Sequence, residues 1–316
     1  MHALTLHAAL PLLGPILALQ VAVTSQKDAR PALERGRRLY ETGQDLPGAR
    51  AALDEAIRVD PQLAEAYLYR ALVTMEAAKL ADAEPDFKKA LTLAPNDPTI
   101  HRFYGEELAS AGRYDEAEQH YQRALAIDPK YADVMYLYGD LDRQRRRLDQ
   151  AIPRLEEHAR LVPKGTAHHA LGEIFLEKGD LVRAEKEFEL DLGTDETCYE
   201  SRVNLAGLLL DRGDFSRARD HYQKSLEFHP ADARALSGLG EAYLELGDSE
   251  LALGTLRQAQ DLAPLDPDVD AALRQARWRL RLRLGWPIAA GSALLGAALG
   301  ATAVLARARR KAGSRS

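Results

Sequence analysis

The sequence predicts an all-α protein built as a solenoid of about seven repeated helical hairpins. Three observations carry this. Alanines recur at Ala49, Ala83, Ala117, Ala151, Ala184, Ala218 and Ala252, at spacings of 34, 34, 34, 33, 34 and 34 residues. Prolines keep the same beat at Pro61, Pro95, Pro129, Pro163, Pro230 and Pro264, with one missing in the fifth repeat. Gly43, Gly112, Gly179, Gly213 and Gly247 fall between them, where the first helix of a hairpin must turn. A fixed period of this length marks stacked supersecondary units, each burying its apolar face on its neighbours.

The spacing divides the chain into seven repeats: 29–63, 64–97, 98–131, 132–164, 165–198, 199–232 and 233–266. In each, helix A stops at the turn glycine, which enters the left-handed region at little steric cost. Helix B stops before the proline, which cannot continue it. Gly105, Gly139, Gly172 and Gly240 in helix A, with the recurrent alanines in helix B, let the two helices approach closely. Phe87, Tyr121, Phe188 and Tyr222 are expected to fill the space between hairpins. Departures from the period are local. Pro47–Gly48 adds a residue to the first turn, and Ala78 and Arg146 stand where a turn glycine belongs. The fifth repeat replaces its proline region with GTDET before Cys198, which predicts a looser junction or a change of pitch there.

The seventh repeat shows the pattern most fully: Leu236, Leu239, Gly240, Tyr243, then Gly247, Ala252, Leu256, Ala259 and Pro264. This resembles the tetratricopeptide repeat, W-x2-L-G-x2-Y…A-x3-F…P, with Leu236 and Leu256 replacing the aromatics. The resemblance covers residues 29–266. It implies a right-handed superhelix whose groove, lined by helix A positions 2, 5, 9 and 12, takes an extended peptide or a partner helix. Position 9 reads Arg37, Leu72, Glu106, Asp140, Glu173, Gly207 and Glu241; position 5 reads Leu33, Leu68, Arg102, Tyr136, His169, Val203 and Ser237. The resemblance therefore makes Arg102, Glu106, Tyr136, Asp140, Arg143, His169, Glu173 and Glu241 the candidate partner-binding residues. Lys is absent from these positions, which disfavours capture of a terminal carboxylate. The acids favour a partner with a basic segment, and Arg102 and Arg143 are placed to neutralise them internally.

Composition bounds the rest. Hydrophobic residues at 46% and charged residues at 28% fit folded helices rather than disorder. One cysteine, Cys198, excludes an intramolecular disulfide and a cysteine metal framework. The net charge of −6 conceals an asymmetry. Residues 274–316 hold ten Lys/Arg and no Asp/Glu, so residues 1–273 carry 32 basic and 48 acidic side chains. An acidic body argues against a nucleic-acid partner, and the basic end points to a membrane surface.

Both ends are apolar. Residues 4–23 contain no Lys, Arg, Asp or Glu. Segment 1–25 reads as a signal peptide cleaved near Ala22 or Ser25, because Pro11, Gly14 and Pro15 would interrupt a spanning helix. An N-terminal membrane anchor stays open, because no Lys or Arg precedes the apolar core. Residues 267–283 are expected to form a capping, juxtamembrane helix starting at Asp266–Pro267. In it Leu273, Leu280 and Leu284 share a face, and Trp278 and Trp286 are placed as interfacial anchors. Residues 284–306 carry no charge and are long enough, as a helix, to span a bilayer. Ser292, Gly296 and Gly300 give a small-residue spacing suited to a homodimer. A basic tail, 307–316, follows. Five arginines precede the span and five basic residues follow it, so the positive-inside rule gives a tie. A cleaved signal places the array outside the cytoplasm, in the periplasm; a retained anchor gives the cytoplasmic orientation.

No catalytic or metal constellation and no cofactor motif emerges. His168 and His169 are adjacent, so on a helix they point about 100° apart and do not converge on one ion. No phosphate-binding glycine loop occurs. Cys198 has no histidine at helical spacing and reads as a small half-buried hydrophobe. The expectation is a membrane-anchored scaffold for protein–protein interaction, not an enzyme, in assembly of a cell-envelope or secretion complex. The alternative is a cytoplasm-facing membrane adaptor in protein quality control.

Overall fold

A computed structural model describes residues 29–77, 80–163 and 167–283. The N-terminal segment 1–25, the span 284–306 with Ser292, Gly296 and Gly300, the tail 307–316, and the second-repeat turn at Ala78 lie outside these residues. Every element among the described residues is a helix. These are α1 (residues 29–42), then α2 (Leu46–Val59), α3 (Ala64–Ala77), α4 (Leu80–Leu93), α5 (Pro98–Ser110), α6 (Tyr114–Ile127), α7 (Ala132–Gln144) and α8 (Leu148–Leu161). There follow α9 (Ala167–Glu177), α10 (Leu181–Thr194), α11 (Tyr199–Arg212), α12 (Phe215–Phe228), α13 (Ala233–Leu246), α14 (Ser249–Leu262) and α15 (Pro267–Arg283). None of the described helices is long and apolar enough to cross a membrane. The chain forms two compact units that divide between Leu141 and Asp142, inside α7.

Among the described residues, the turn within a hairpin follows from one residue in the left-handed region. Gly112, Gly179, Gly213 and Gly247 have φ of 75°, 75°, 85° and 90°. The next amide then reaches back to the helix end, as Asp180 N to Phe175 O (2.8 Å) and Asp248 N to Tyr243 O (2.8 Å). This satisfies carbonyls that a helix terminus leaves without partners. Arg146 takes the same conformation, φ 61°, and Arg147 N donates to Asp142 O at 2.8 Å. The fourth repeat thus keeps the turn without the glycine, at a strain on the order of 1 kcal/mol.

Turns between hairpins rest on aspartates. Asp128 accepts from Lys130 N (3.0 Å) and Asp232 from Arg234 N (2.8 Å). In the fifth repeat Glu196 stands where Pro129 stands in the third. The turn nevertheless keeps its form, because Asp195 accepts from both Thr197 N (2.8 Å) and Thr197 Oγ1 (2.6 Å). An Asx turn there sets the chain direction that proline sets elsewhere.

Packing within a hairpin depends on bare backbone in helix A facing a bulky helix B side chain. In the first unit, a Cβ on Gly105 would lie 2.7 Å from Tyr121, and one on Gly36 would lie 2.6 Å from Leu53. In the second unit, a Cβ on Gly172 would lie 2.5 Å from Phe188, and one on Gly240 would lie 2.5 Å from Leu256. Tyr121, Phe87 and Phe188 are accordingly buried to 1% exposure or less. The recurrent alanines Ala49, Ala83, Ala117, Ala151, Ala184, Ala218 and Ala252 are all at 0%.

Helix α15 closes the second unit. Asp266 starts it, accepting from Asp268 N at 2.9 Å. Its inner face is Val269, Ala272, Leu273 and Ala276. Of the face expected through Leu273, Leu280 and Leu284, Leu273 is buried, Leu280 continues the same face half-buried, and Leu284 lies outside the described residues. Arg279 ties the helix back by donating to the Leu244 carbonyl and to Glu245 (3.1 Å).

Substitution Gly172→Ala should lower stability by about 1–3 kcal/mol, because Phe188 must yield to the new methyl. Gly254, in α14, has nothing within 4 Å of an added Cβ. Gly254→Ala should therefore raise stability by about 0.5–1 kcal/mol through helix propensity. Urea midpoints of the two variants, read by circular dichroism, should move in opposite directions.

Candidate functional site

The polar residues expected on the helix A face are all half-buried: Arg102, Glu106, Tyr136 and Asp140 in the first unit, and Arg143, His169, Glu173 and Glu241 in the second. The apolar residues at equivalent positions are not on that face. Leu33, Leu68, Leu72 and Val203 are between 0% and 3% exposed and belong to the core. A lining position in the repeat therefore does not guarantee exposure, because neighbouring apolar side chains cover the leucines there.

In the first unit, Arg102 donates to Glu106 at 3.0 Å, one helical turn away, and its guanidinium lies 3.8 Å over the Phe103 ring. Arg37 pairs with Glu34 at 2.6 Å and lies 3.6 Å from Glu65. Two carboxylates differ. Among the described residues no Lys, Arg or His is ion-paired with Glu76 or Glu107. Burial pushes the Glu107 carboxyl up, and the Glu106 and Glu76 carboxylates push it further. Glu107 edges a cleft whose walls include Met75, Leu80 and Ala111. Tyr40 stands near the same acids: burial raises its hydroxyl first, then Glu76, Glu107 and Glu106.

In the second unit, Glu173 is shared. Arg143 donates to it at 3.0 Å, and His169 Nε2 lies 3.5 Å away. The contact with His169 is the main cause of a lowered Glu173 carboxyl, and the same contact raises His169. Arg102 and Arg143 thus neutralise the acids as the sequence allowed. Behind this face lies a buried polar group that the sequence did not announce. His169 Nδ1 is 2.7 Å from Ser201 Oγ, and Ser201 Oγ donates to Asp191 at 2.6 Å. Asp191 and Ser201 are 4% and 0% exposed. Ligand atoms of His169, Asp191 and Cys198 all lie within 4.8 Å of one another. Cys198 is half-buried, as expected, and tertiary packing brings it a histidine that helical spacing does not. His168 points elsewhere, 2.8 Å from Glu187.

Stacked helical hairpins with a polar, charge-paired helix A face define a repeat-solenoid binding module. The sequence model of the tetratricopeptide repeat matches residues 33–98, 73–132 and 203–267, and a second such model matches 108–172. The chain belongs to the tetratricopeptide repeat family, whose members are typically scaffolds for protein–protein interaction rather than enzymes. Among curated proteins it is 27% identical over 167 residues to a Tonsoku-like protein of Bos taurus, covering 46% of this chain and 12% of that protein. The chain thus spans about an eighth of the length of that relative.

Among solved structures, the C-terminal part of a repeat protein from Cytophaga hutchinsonii superposes with a TM-score of 0.60 at 20% identity, covering 76% of this chain and 99% of that one. YrrB, described as a TPR protein with an unusual peptide-binding site, superposes at 0.54 with 22% identity, covering 60% and 97%. A repeat protein from Parabacteroides merdae gives 0.54 at 17% identity, covering 79% and 99%. At these identities the likeness is one of fold.

The first unit also holds two facing histidines, with His101 Nδ1 2.9 Å from His120 Nδ1. Burial lowers both, and the His101 charge lowers His120 further, to about 4. The sign follows directly. Above the ordinary histidine range both states are neutral and nothing is lost. As pH falls from about 6.5 toward about 4, the unfolded chain takes up protons that the folded pair refuses. Stability of this unit should therefore fall by on the order of 1–2 kcal/mol across that window. The variant His120→Gln should flatten the dependence of the urea midpoint on pH.

Proposed function

We propose that this protein is a membrane-attached scaffold whose first unit captures an extended partner segment containing Lys or Arg. The observation that carries the reading is the Glu107 cleft. Its walls include the apolar Met75, Leu80 and Ala111 together with the Glu84–Arg113 ion pair, which is satisfied within itself, and its edge carries Glu107, with which no cation among the described residues is ion-paired. A Lys or Arg side chain matches both features, laying its aliphatic stem on the walls and its charge against the carboxylate. Binding there offsets the repulsion from Glu106 and Glu76 that adds to burial in raising the Glu107 carboxyl. Glu106 supplies a secondary contact by exchanging its internal arginine, Arg102, for one from the partner. Each such half-exposed pair is worth only about 0–1 kcal/mol, so the exchange costs little.

Attachment rests on the uncharged stretch 284–306 between its flanking arginines. We place the repeats on the extracytoplasmic side, with the segment 1–25 removed as a signal, in a cell-envelope or secretion assembly. The supporting features are the helix breakers Pro11, Gly14 and Pro15.

Selection from a library of extended peptides should enrich sequences with Lys or Arg next to an apolar residue. Paired Glu106→Gln and Glu107→Gln substitutions should weaken the selected peptides at least tenfold and reduce the salt dependence of binding. Enrichment without regard to charge would overturn the basic-segment reading. Membrane attachment has its own test: a chain ending at residue 283 should leave the membrane fraction, and the mass of the mature N-terminus should begin near residue 23–26.

A further inference from the structure

We infer that His169, Asp191 and Cys198 form a binding site for a divalent d-block cation, Zn2+ foremost, in the second unit. The three side chains come from three places: His169 from α9, Asp191 from near the end of α10, and Cys198 from the residue capping α11. Their nitrogen, oxygen and sulfur atoms all fall within 4.8 Å of one another. Imidazole, carboxylate and thiolate together suit zinc, which accepts all three donors in a tetrahedral shell. Calcium and magnesium take oxygen almost exclusively, so the thiol and the imidazole select against them.

Asp191 gives the second, independent reason. In the first, second, third and seventh repeats its helix B position holds Ala56, Ala90, Ala124 and Ala259, all fully buried. A carboxylate there is buried to 4% exposure. Buried carboxylates ordinarily need a cation. Asp142, the other carboxylate buried this deeply in the second unit, has two: Arg147 at 2.6 Å and Arg154 at 2.5 Å. Among the described residues no Lys or Arg is ion-paired with Asp191. Its side-chain hydrogen-bond partners are the Ser201 hydroxyl, shared with His169 Nδ1, and the Cys198 thiol. A divalent ion at the convergence point supplies the missing positive charge. Ser201 then sits beside the site as the group that orients Asp191, the usual role of an outer-shell hydroxyl. The site also lies at the one repeat that lacks its closing proline. There the ion would join α9, α10 and the start of α11.

The full chain, purified and freed of metal with a chelator, should bind one equivalent of Co2+. The complex should show d–d bands of tetrahedral intensity together with thiolate-to-cobalt charge transfer in the near ultraviolet, and Zn2+ should displace the cobalt. Cys198→Ala should abolish the charge-transfer band. His169→Ala and Asp191→Asn should each weaken Zn2+ at least tenfold. His168→Ala, whose neighbour Glu187 is elsewhere, should leave binding unchanged. Circular dichroism checks that each variant folds. Should a variant not fold, the unaltered chain still decides: one equivalent of Zn2+ should slow alkylation of Cys198 at least tenfold. Absence of the charge-transfer band, or alkylation at the same rate with and without Zn2+, would overturn the site. In that case a protonated His169 is the counter-charge of Asp191. A cobalt band that survives both His169→Ala and Asp191→Asn would overturn it equally, as binding by the thiol alone.

Discussion

Four hairpins close where a helix B ring or leucine lies against helix A backbone that has no side chain. The contact between Gly172 and Phe188 is closer than any Cβ tolerates, and Gly36, Gly105 and Gly240 repeat it with Leu53, Tyr121 and Leu256. The axial distance between the two helices of a repeat is set there. That distance fixes which helix A residues remain half-exposed and which sink into the core. Glycine weakens the helix that carries it, by roughly 0.5–1 kcal/mol relative to alanine. The buried ring returns more than this through apolar burial, about 25 cal/mol per Å2 removed from water.

Much of this frame could be read from residue spacing. The left-handed turns at Gly112, Gly179, Gly213 and Gly247 are legible because only one residue type meets that backbone demand cheaply. The family was legible for the same reason. Arg146 shows the limit: its neighbours impose the turn, so the residue alone would have argued against it. The candidate face was legible only in part. Arg102, Glu106, Arg143 and Glu173 stand where the repeat places them, but Leu33, Leu68 and Leu72 at equivalent positions are buried. Position in a repeat gives a direction from the helix axis, whereas exposure depends on what the next hairpin presents. The groups joined across helices were not legible at all. His101 meets His120, 19 residues on, and His169 meets Ser201, 32 residues on. Neither separation is a helical period, so no pattern within one helix reveals them.

Charge is distributed on two plans. Where a carboxylate is deeply buried, as at Asp142, the fold places arginines against it. On the helix A face, arginines and acids pair at half-exposed positions, where solvent screens them and the pairs exchange readily. Glu107 follows neither plan, being half-buried, near other acids, and without an internal cation among the described residues. Asp191 departs likewise in the core, with a hydroxyl and an imidazole in place of arginine. In an otherwise balanced surface, such departures are where a foreign charge gains most.

The glycine contact also shapes how this sequence can change over generations. Ala206 stands in α11 where other repeats place the glycine that accepts the ring. The ring has not been given up. Tyr222 turns toward α13 instead, and a Cβ on Gly238 would lie 2.2 Å from it. The bare backbone that receives this ring lies in the following repeat. Ring and glycine therefore behave as one heritable pair whose members can sit in different repeats. Removing the seventh repeat alone would take away the bare backbone on which Tyr222 packs, so the packing of the sixth repeat depends on the repeat that follows it.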